Sequence, residues 1–183
     1  MANPLLVVDV QLGFLNKYTE HLADRVAALI ARGDYDPILF TRFVNLPGGP
    51  YPRFLDWDEC MAPPETDIAP GLCQYVRDDL VFTKPGYAGI SDELAEYLTG
   101  SRFEQITIVG IDTDMCVLKV TMDIFDLNIR PIVLVDCCGS TAGLQSHLAG
   151  LAVLARNIGP DHLRDAGLSG GRMAAPIHTP ERA

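Results

Sequence analysis

Short apolar runs alternate with amphipathic segments along most of the chain. Residues 5–8 read LLVV, an uninterrupted aliphatic run that is typical of a strand covered on both faces. Between Thr19, a candidate N-cap, and Gly33, apolar residues recur at helical spacing at positions 22, 26, 29 and 30. The pattern predicts a strand followed by a helix that packs on the sheet.

The same alternation continues towards the carboxyl end. Apolar runs predict further strands, and amphipathic stretches after Ser91, after Cys116 and from Leu144 to Leu154 predict helices; the strands are expected at 37–41, 80–83, 105–110 and 132–135. Strands that alternate with helices favour parallel pairing with right-handed crossovers. The predicted fold class is α/β, a three-layer doubly wound sheet, mostly parallel, with helices on both faces.

Two segments depart from this pattern. Residues 45–69 are rich in proline, glycine and aromatic side chains, and loops of this length usually carry binding function, so we expect this one to wall a pocket. Residues 165–183 are rich in glycine and proline and are expected to be flexible or to contact a neighbouring subunit. A single domain is therefore predicted over residues 1–164.

Composition narrows the classes of function. With 48% hydrophobic and 21% charged residues the chain resembles an ordinary globular protein, and a net charge of -10 disfavours a nucleic-acid partner. The five cysteines lack the spacing of a secreted disulfide framework, and neither a leader nor a membrane-spanning stretch is recognisable. We expect a cytoplasmic protein whose partner is a small molecule rather than a membrane or a nucleic acid.

Three chemically distinct side chains follow three predicted strands. Asp9 ends the first strand, Lys84 ends the third, and Cys116 lies where the fourth strand turns into a helix. Ligands of open parallel sheets bind beyond the carboxyl ends of the strands, so these residues could converge. Each also has a structural explanation: a turn-capping aspartate, a surface lysine and a buried, inert cysteine.

Cys116 is the candidate nucleophile. The start of a helix offers unpaired N–H groups and a positive dipole end, which can lower a cysteine pKa from about 8.5 to roughly 3.5–7.5. The same N–H groups could stabilise the oxyanion of a tetrahedral intermediate. A lysine beside Asp9 would balance its charge and stabilise a thiolate.

Together these residues resemble the isochorismatase-like cysteine hydrolases, a superfamily that includes nicotinamidase and N-carbamoylsarcosine amidase. The resemblance runs from Leu5 to about Gly159 and rests on the order and spacing of several short pieces: VVDVQ at 7–11 with Phe14, TR at 41–42, KPGY at 84–87, GIDTDMCV at 110–117 with Thr121, and VLVD at 133–136.

The resemblance implies a role for each matching position. Cys116 would attack a carbonyl to give a thioester, Asp9 would take the thiol proton and pass it to the leaving amine, and Lys84 would support both. It also implies a cis peptide between Ile111 and Asp112, an oxyanion hole made by the N–H groups of Asp112 and Cys116, and a homodimer or homotetramer.

Substrate-binding residues are less well marked. Arg42 is a candidate clamp for a substrate carboxylate, because a guanidinium matches that group's geometry. Phe14, Trp57, Tyr87 and Met115 are candidates for the pocket wall, with core packing as the alternative for each aromatic residue.

No cofactor or catalytic metal is predicted. The histidines are scattered and form no ligand pair, at positions His21, His147, His162 and His178. Residues 41–47 also lack the histidine with which nicotinamidases bind a metal, which counts against nicotinamidase itself.

Three functions remain open from the sequence. The leading one is metal-independent hydrolysis of a small amide to a carboxylic acid and ammonia or an amine. A vinyl ether hydrolase would use Asp9 as a proton donor and would not need Cys116. A silent or redox-responsive scaffold would contain Cys116 only as an oxidisable thiol; the vicinal pair Cys137 and Cys138 is interpreted as structural.

Overall fold

Six parallel strands form one sheet in a computed structural model that describes residues 2–87 and 89–168. The strand order is β3-β2-β1-β4-β5-β6, with bounds β1 Leu5–Val8, β2 Ile38–Phe43, β3 Val81–Lys84, β4 Gln105–Ile111, β5 Arg130–Gly139 and β6 Leu163–Arg164. The helices are α1 His21–Arg32, α2 Pro50–Leu55, α3 Asp92–Ser101, α4 Cys116–Asp126 and α5 Leu144–Ile158.

Strand β1 lies at the centre and is buried on both faces. It pairs with β2 on one side and β4 on the other, so that Val8 is opposite both Thr41 and Gly110. Leu5 and Val7 belong to the core under α1, whereas alternate residues of β1 belong to the core under α3, α4 and α5. The two cores explain the unbroken apolar run and confirm the predicted α/β fold with helices on both faces.

Some local predictions need correction. Helix α1 begins at His21 with Glu20 as its N-cap, because the Thr19 hydroxyl instead donates to the carbonyl of Phe14 at 2.6 Å. On α5, Leu144 and Leu148 are exposed, since the side of that helix that packs inward runs through Leu151 and Leu154.

The long segment 45–69 contains the short helix α2, which its irregular pattern did not predict. Of the predicted tail, residues 169–183 lie outside the described residues. Before them, the N–H of Ala166 donates to Asp136 Oδ1 at 2.7 Å, and Leu168 packs against the α1 side of the core. Among the described residues, no helix has the length and apolarity needed to cross a membrane.

Candidate active site

Asp9, Lys84 and Cys116 meet at the carboxyl edge of the sheet. Lys84 Nζ lies 2.7 Å from Asp9 Oδ2 and 3.4 Å from Cys116 Sγ. The side chains of Asp9 and Lys84 are 0% and 1% exposed. A buried ion pair of this kind is stable only when each charge is compensated nearby, and here each charge is the other's partner.

Local backbone geometry places Asp9 directly after the carboxyl end of β1. Asp9 has a φ of 50°, a left-handed conformation that aspartate tolerates better than most residues. On the neighbouring strand, Gly110 has a φ of 134°, and a Cβ there would lie 2.1 Å from the carbonyl oxygen of Val8. Only glycine allows β4 to approach β1 this closely.

Thr41 on β2 fixes the carboxylate. Its hydroxyl donates to Asp9 Oδ1 at 2.6 Å and accepts from the Asp9 N–H at 3.1 Å. The two carboxylate oxygens of Asp9 therefore have different partners, Thr41 and Lys84, which holds one rotamer.

Cys116 is the first residue of α4, as predicted, but its pKa moves in the opposite direction to the prediction. Burial raises the pKa of the thiol, the Asp9 carboxylate raises it further, and the Lys84 ammonium only partly opposes them. The expectation of a lowered pKa is wrong for the resting protein, because it took account of the helix end and of Lys84 but not of burial and Asp9.

The pKa of Lys84 is shifted in the direction that keeps the ammonium. Burial alone lowers this pKa, but the negative charge of Asp9, with that of Cys116 when ionised, outweighs burial and raises it. Lys84 is thus a fixed positive charge between a carboxylate and a thiol.

The segment between β4 and α4 turns back on itself beside the thiol. The peptide bond between Ile111 and Asp112 is cis. The Asp112 carboxylate accepts the N–H of Thr141 at 2.5 Å and its hydroxyl at 2.8 Å. Burial raises the pKa of Asp112, and these two hydrogen bonds oppose that effect. Among the described residues, the backbone N–H groups of Asp112 and Cys116 donate to no protein acceptor.

A cavity of about 440 Å³ opens above the thiol. Its wall is mainly apolar and aromatic: Gly13, Phe14, Leu15, Asn16, Phe43, Tyr51, Leu55, Trp57, Glu59, Tyr87, Ile111, Asp112, Met115, Cys116 and Thr141. This volume suits a small organic molecule. The four residues predicted for the wall, Phe14, Trp57, Tyr87 and Met115, all line it. Phe54, another aromatic residue of segment 45–69, is 72% exposed and does not.

The prediction that Arg42 clamps a substrate carboxylate is wrong. It lies between Thr41 and Phe43 on β2, and successive side chains of a strand point to opposite faces. Thr41 contacts Asp9 and Phe43 lines the cavity, so Arg42 points away and lines a separate open cleft with Asp67 and Asp78. It cannot clamp a substrate at Cys116.

Sequence reasoning missed several contributors to the site. Alternation along β2 indicates that Phe43 shares a face with Thr41, and Thr41 itself is marked in the sequence only by the short TR motif at 41–42. Glu59 and Thr141 reach the cavity from loops, where no periodic pattern marks them. Within the described part of the chain, no group of three or more His, Cys, Asp or Glu side chains could hold a metal ion.

Known structures share this fold. The chain is similar to an isochorismatase-like hydrolase from Alkaliphilus metalliredigens, with a TM-score of 0.76 and 17% identity over 91% of this chain and 96% of that one. It is similar to N-carbamoylsarcosine amidase from Thermoplasma acidophilum, with a TM-score of 0.73 and 18% identity over 93% of this chain and 100% of the other. A pyrazinamidase/nicotinamidase from Streptococcus mutans matches with a TM-score of 0.72 and 21% identity, over 86% of this chain and 98% of that protein.

At such identities the likeness concerns the fold, which is that of the isochorismatase-like α/β hydrolases. The sequence itself matches the model of the isochorismatase domain over residues 3–160. The chain therefore belongs to the isochorismatase family, and it is a hydrolase.

Proposed function

We propose that this protein hydrolyses a small amide to a carboxylic acid and ammonia or an amine, through a thioester on Cys116. The observation that carries the proposal is the contact of Lys84 Nζ with both Asp9 and Cys116 Sγ, at 2.7 and 3.4 Å, at the floor of the cavity. The amidases among proteins of similar fold are consistent with it.

The first step is a proton transfer that leaves the net charge of the buried group unchanged. A thiol, a carboxylate and an ammonium sum to zero, and so do a thiolate, a carboxylic acid and an ammonium. Asp9 contacts the thiol and can take its proton as the sulfur attacks the carbonyl carbon. The raised pKa of Cys116 in the resting state does not prevent this step, since the thiolate forms only when Asp9 becomes neutral.

The attack moves negative charge onto the carbonyl oxygen. The N–H groups of Asp112 and Cys116, which have no acceptor in the described part of the chain, are the donors we assign to that oxyanion. The Asp112 side chain is held by Thr141, so this segment stays in place. Asp9 then donates its proton to the departing nitrogen. Water, with Asp9 as the base, hydrolyses the thioester to the acid and restores the thiol.

Vinyl ether hydrolysis is less consistent with this arrangement. That reaction needs a proton donor at the start, whereas Asp9 accepts from Thr41 and is paired with the Lys84 ammonium, as a carboxylate does. The thiol would also have no role in it.

Ammonia release from a panel of primary amides and carbamoyl amines tests the proposal. We expect turnover by the wild type, a loss of at least about 10³-fold in Cys116→Ala and Asp9→Asn, and an acyl adduct on Cys116 by intact mass after acid quench. Cys73→Ala is the matched control, because Cys73 is an exposed thiol that lies outside this cavity. Turnover that survives in Cys116→Ala would contradict the thioester route.

A further inference from the structure

On the part of the cavity wall that the described residues form, the charged side chains are acidic. Among the described residues that line the cavity, Glu59 and Asp112 are the charged ones, and none is Lys, Arg or His. Lys84 lies beneath the wall, and its charge is balanced by Asp9 at 2.7 Å. Both oxygens of Asp112 accept from Thr141, so Glu59 is the carboxylate that can face a ligand.

Glu59 is held at the cavity by a set of hydrogen bonds. Trp57 Nε1 donates to Glu59 Oε2 at 3.2 Å. The buried amide of Asn45 donates to the carbonyls of Trp57 at 3.0 Å and of Glu59 at 3.1 Å. The carboxylate and the indole therefore keep a fixed position relative to each other.

Aromatic rings form the wall beside this carboxylate. Trp57 lies with its ring centroid 6.3 Å from that of Phe14, 5.9 Å from Phe43 and 5.7 Å from Tyr51, and Tyr87 extends the group at 5.1 Å from Tyr51. The faces of aromatic rings carry partial negative charge and attract cations, most strongly when the cation is poorly hydrated.

We propose that the substrate carries a positive charge, as a quaternary ammonium or N-alkylpyridinium group, on the part that occupies the wall formed by Trp57, Tyr51 and Glu59. A carboxylate on the substrate would meet Glu59 and, among the described lining residues, no cation to pair with. The statement that the cationic substrate is an amide rests on the proposed function. The preference of the cavity for cations is independent of it.

Thiol-specific probes measure this preference without any turnover. Methanethiosulfonates modify a cysteine as a mixed disulfide and release methanesulfinate, and the ethyltrimethylammonium and ethylsulfonate reagents differ in charge at similar size. We would measure their rates at Cys116 by peptide mass spectrometry, each divided by the rate with a small free thiol. The normalised rate should be at least about tenfold higher for the cationic reagent and should fall towards the anionic one as salt is added.

Two variants localise the effect. Glu59→Gln should reduce the cation-to-anion ratio about fivefold, whereas Glu96→Gln, the same change of charge on exposed α3, should leave it unchanged. Equal normalised rates for the two reagents, or a ratio that Glu59→Gln does not alter, would overturn the proposal.

Hydrolysis of two matched amides separates this inference from the proposed function. Trimethylammonioacetamide and 3,3-dimethylbutanamide have the same shape and differ by one charge, and we expect a higher kcat/KM for the cationic amide. A faster neutral amide would overturn the charge preference while supporting amide hydrolysis. A cation preference at Cys116 without turnover of any amide would support the cavity assignment and contradict the proposed reaction.

Discussion

At the scale of single residues, Asp9 and Lys84 shift the pKa of the Cys116 thiol in opposite directions. The carboxylate raises the pKa of the thiol and the ammonium lowers it, while burial contributes the largest increase. Removing one partner leaves the charge of the other uncompensated, so the two substitutions should not resemble each other.

Asp9→Asn should lower the pKa of Cys116, and Lys84→Met should raise it. Alkylation by iodoacetamide at pH 7.5 should therefore be faster than wild type in Asp9→Asn and slower in Lys84→Met, because the thiolate is the reactive form. Peptide mass spectrometry across a pH series gives both midpoints.

The rate of amide hydrolysis should change in the opposite direction to the alkylation rate in Asp9→Asn. Asp9→Asn should lose amide hydrolysis although its thiol is more reactive, because the proton carrier is gone. A parallel fall of alkylation in both variants would show that the two charges do not act on the sulfur as the geometry indicates.

The sequence allowed the prediction of some residues of the site but not others. Asp9 and Cys116 stand where apolar strands end, which is a position rule that needs no structure. Lys84 resembles a surface lysine when taken alone, and only its position at a third strand end beside the other two indicates a role. The alternation rule, applied to β2, would have shown that Arg42 cannot share a face with both Thr41 and Phe43, whereas Glu59 and Thr141 depend on loop geometry that no periodicity encodes.

At the scale of elements, the contact of α5 with the segment before Cys116 depends on one small residue. A Cβ at Gly150 would lie 2.7 Å from the Asp114 Cα and 2.8 Å from the carbonyl carbon of Thr113, both backbone atoms. Thr113 is also tied to α5 through its hydroxyl, which lies 2.7 Å from His147 Nδ1. Helix α5 is thus packed directly against the chain that leads to the nucleophile.

Gly150→Ala should therefore destabilise the protein by about 1–3 kcal/mol, since overpacking against backbone outweighs the gain in helix propensity. It should also slow alkylation of Cys116 by displacing the segment 113–116. Chemical denaturation and labelling rates measure the two effects.

Gly100→Ala is the control for that substitution. Gly100 lies in α3 with nothing within 4 Å of an added Cβ, so alanine there should stabilise by roughly 0.4–1 kcal/mol and leave labelling unchanged. Equal stability changes at positions 100 and 150 would contradict the packing argument.

Elements were the part of the structure that the sequence predicted best. Strands buried on both faces and helices with one apolar side have patterns that survive in the folded protein. Leu144 and Leu148 are exceptions, because leucines at helical spacing also occur on the exposed side of α5. Strand order cannot be read from such patterns, since it depends on pairings between distant segments.

At the scale of the whole molecule, three thiols are enclosed in the core. Burial is the main cause that raises the pKa of Cys60 and of Cys137 to about 12 each, and it raises that of Cys138 as well. These groups stay protonated in the fold at a pH where an unfolded chain has begun to release their protons.

Stability should accordingly fall as the pH rises above about 9. The contribution of each thiol is complete below its unfolded pKa of 9.0 and is lost as the pH climbs from there towards the folded value, by up to about 1.4 kcal/mol per pH unit. Lys84 does not offset this loss, because its pKa is also raised: the stability that its charge contributes is complete below the ordinary lysine pKa of 10.5 and is lost as the pH rises above that value.

Urea midpoints under reducing conditions at pH 7.5, 9 and 10 measure the effect. Cys137→Ala should flatten the decline, because one of the retained protons is absent, although it also removes packing at every pH. A midpoint that stays constant to pH 10 would contradict the assignment of these thiols as protonated in the core.

The reacting groups lie at the edge of the sheet, and part of the cavity wall lies in the segment 45–69. This separation has an evolutionary consequence. Asp9, Lys84 and Cys116 follow strands or begin a helix at the edge of the sheet, whereas Tyr51, Trp57 and Glu59 belong to the segment 45–69 that connects β2 to β3. Mutations in that segment can change which molecules enter the cavity without altering the reacting groups. The residues that select the substrate and the residues that react therefore lie in different parts of the chain. Descendants of such a protein can acquire new substrates through changes within about twenty-five residues.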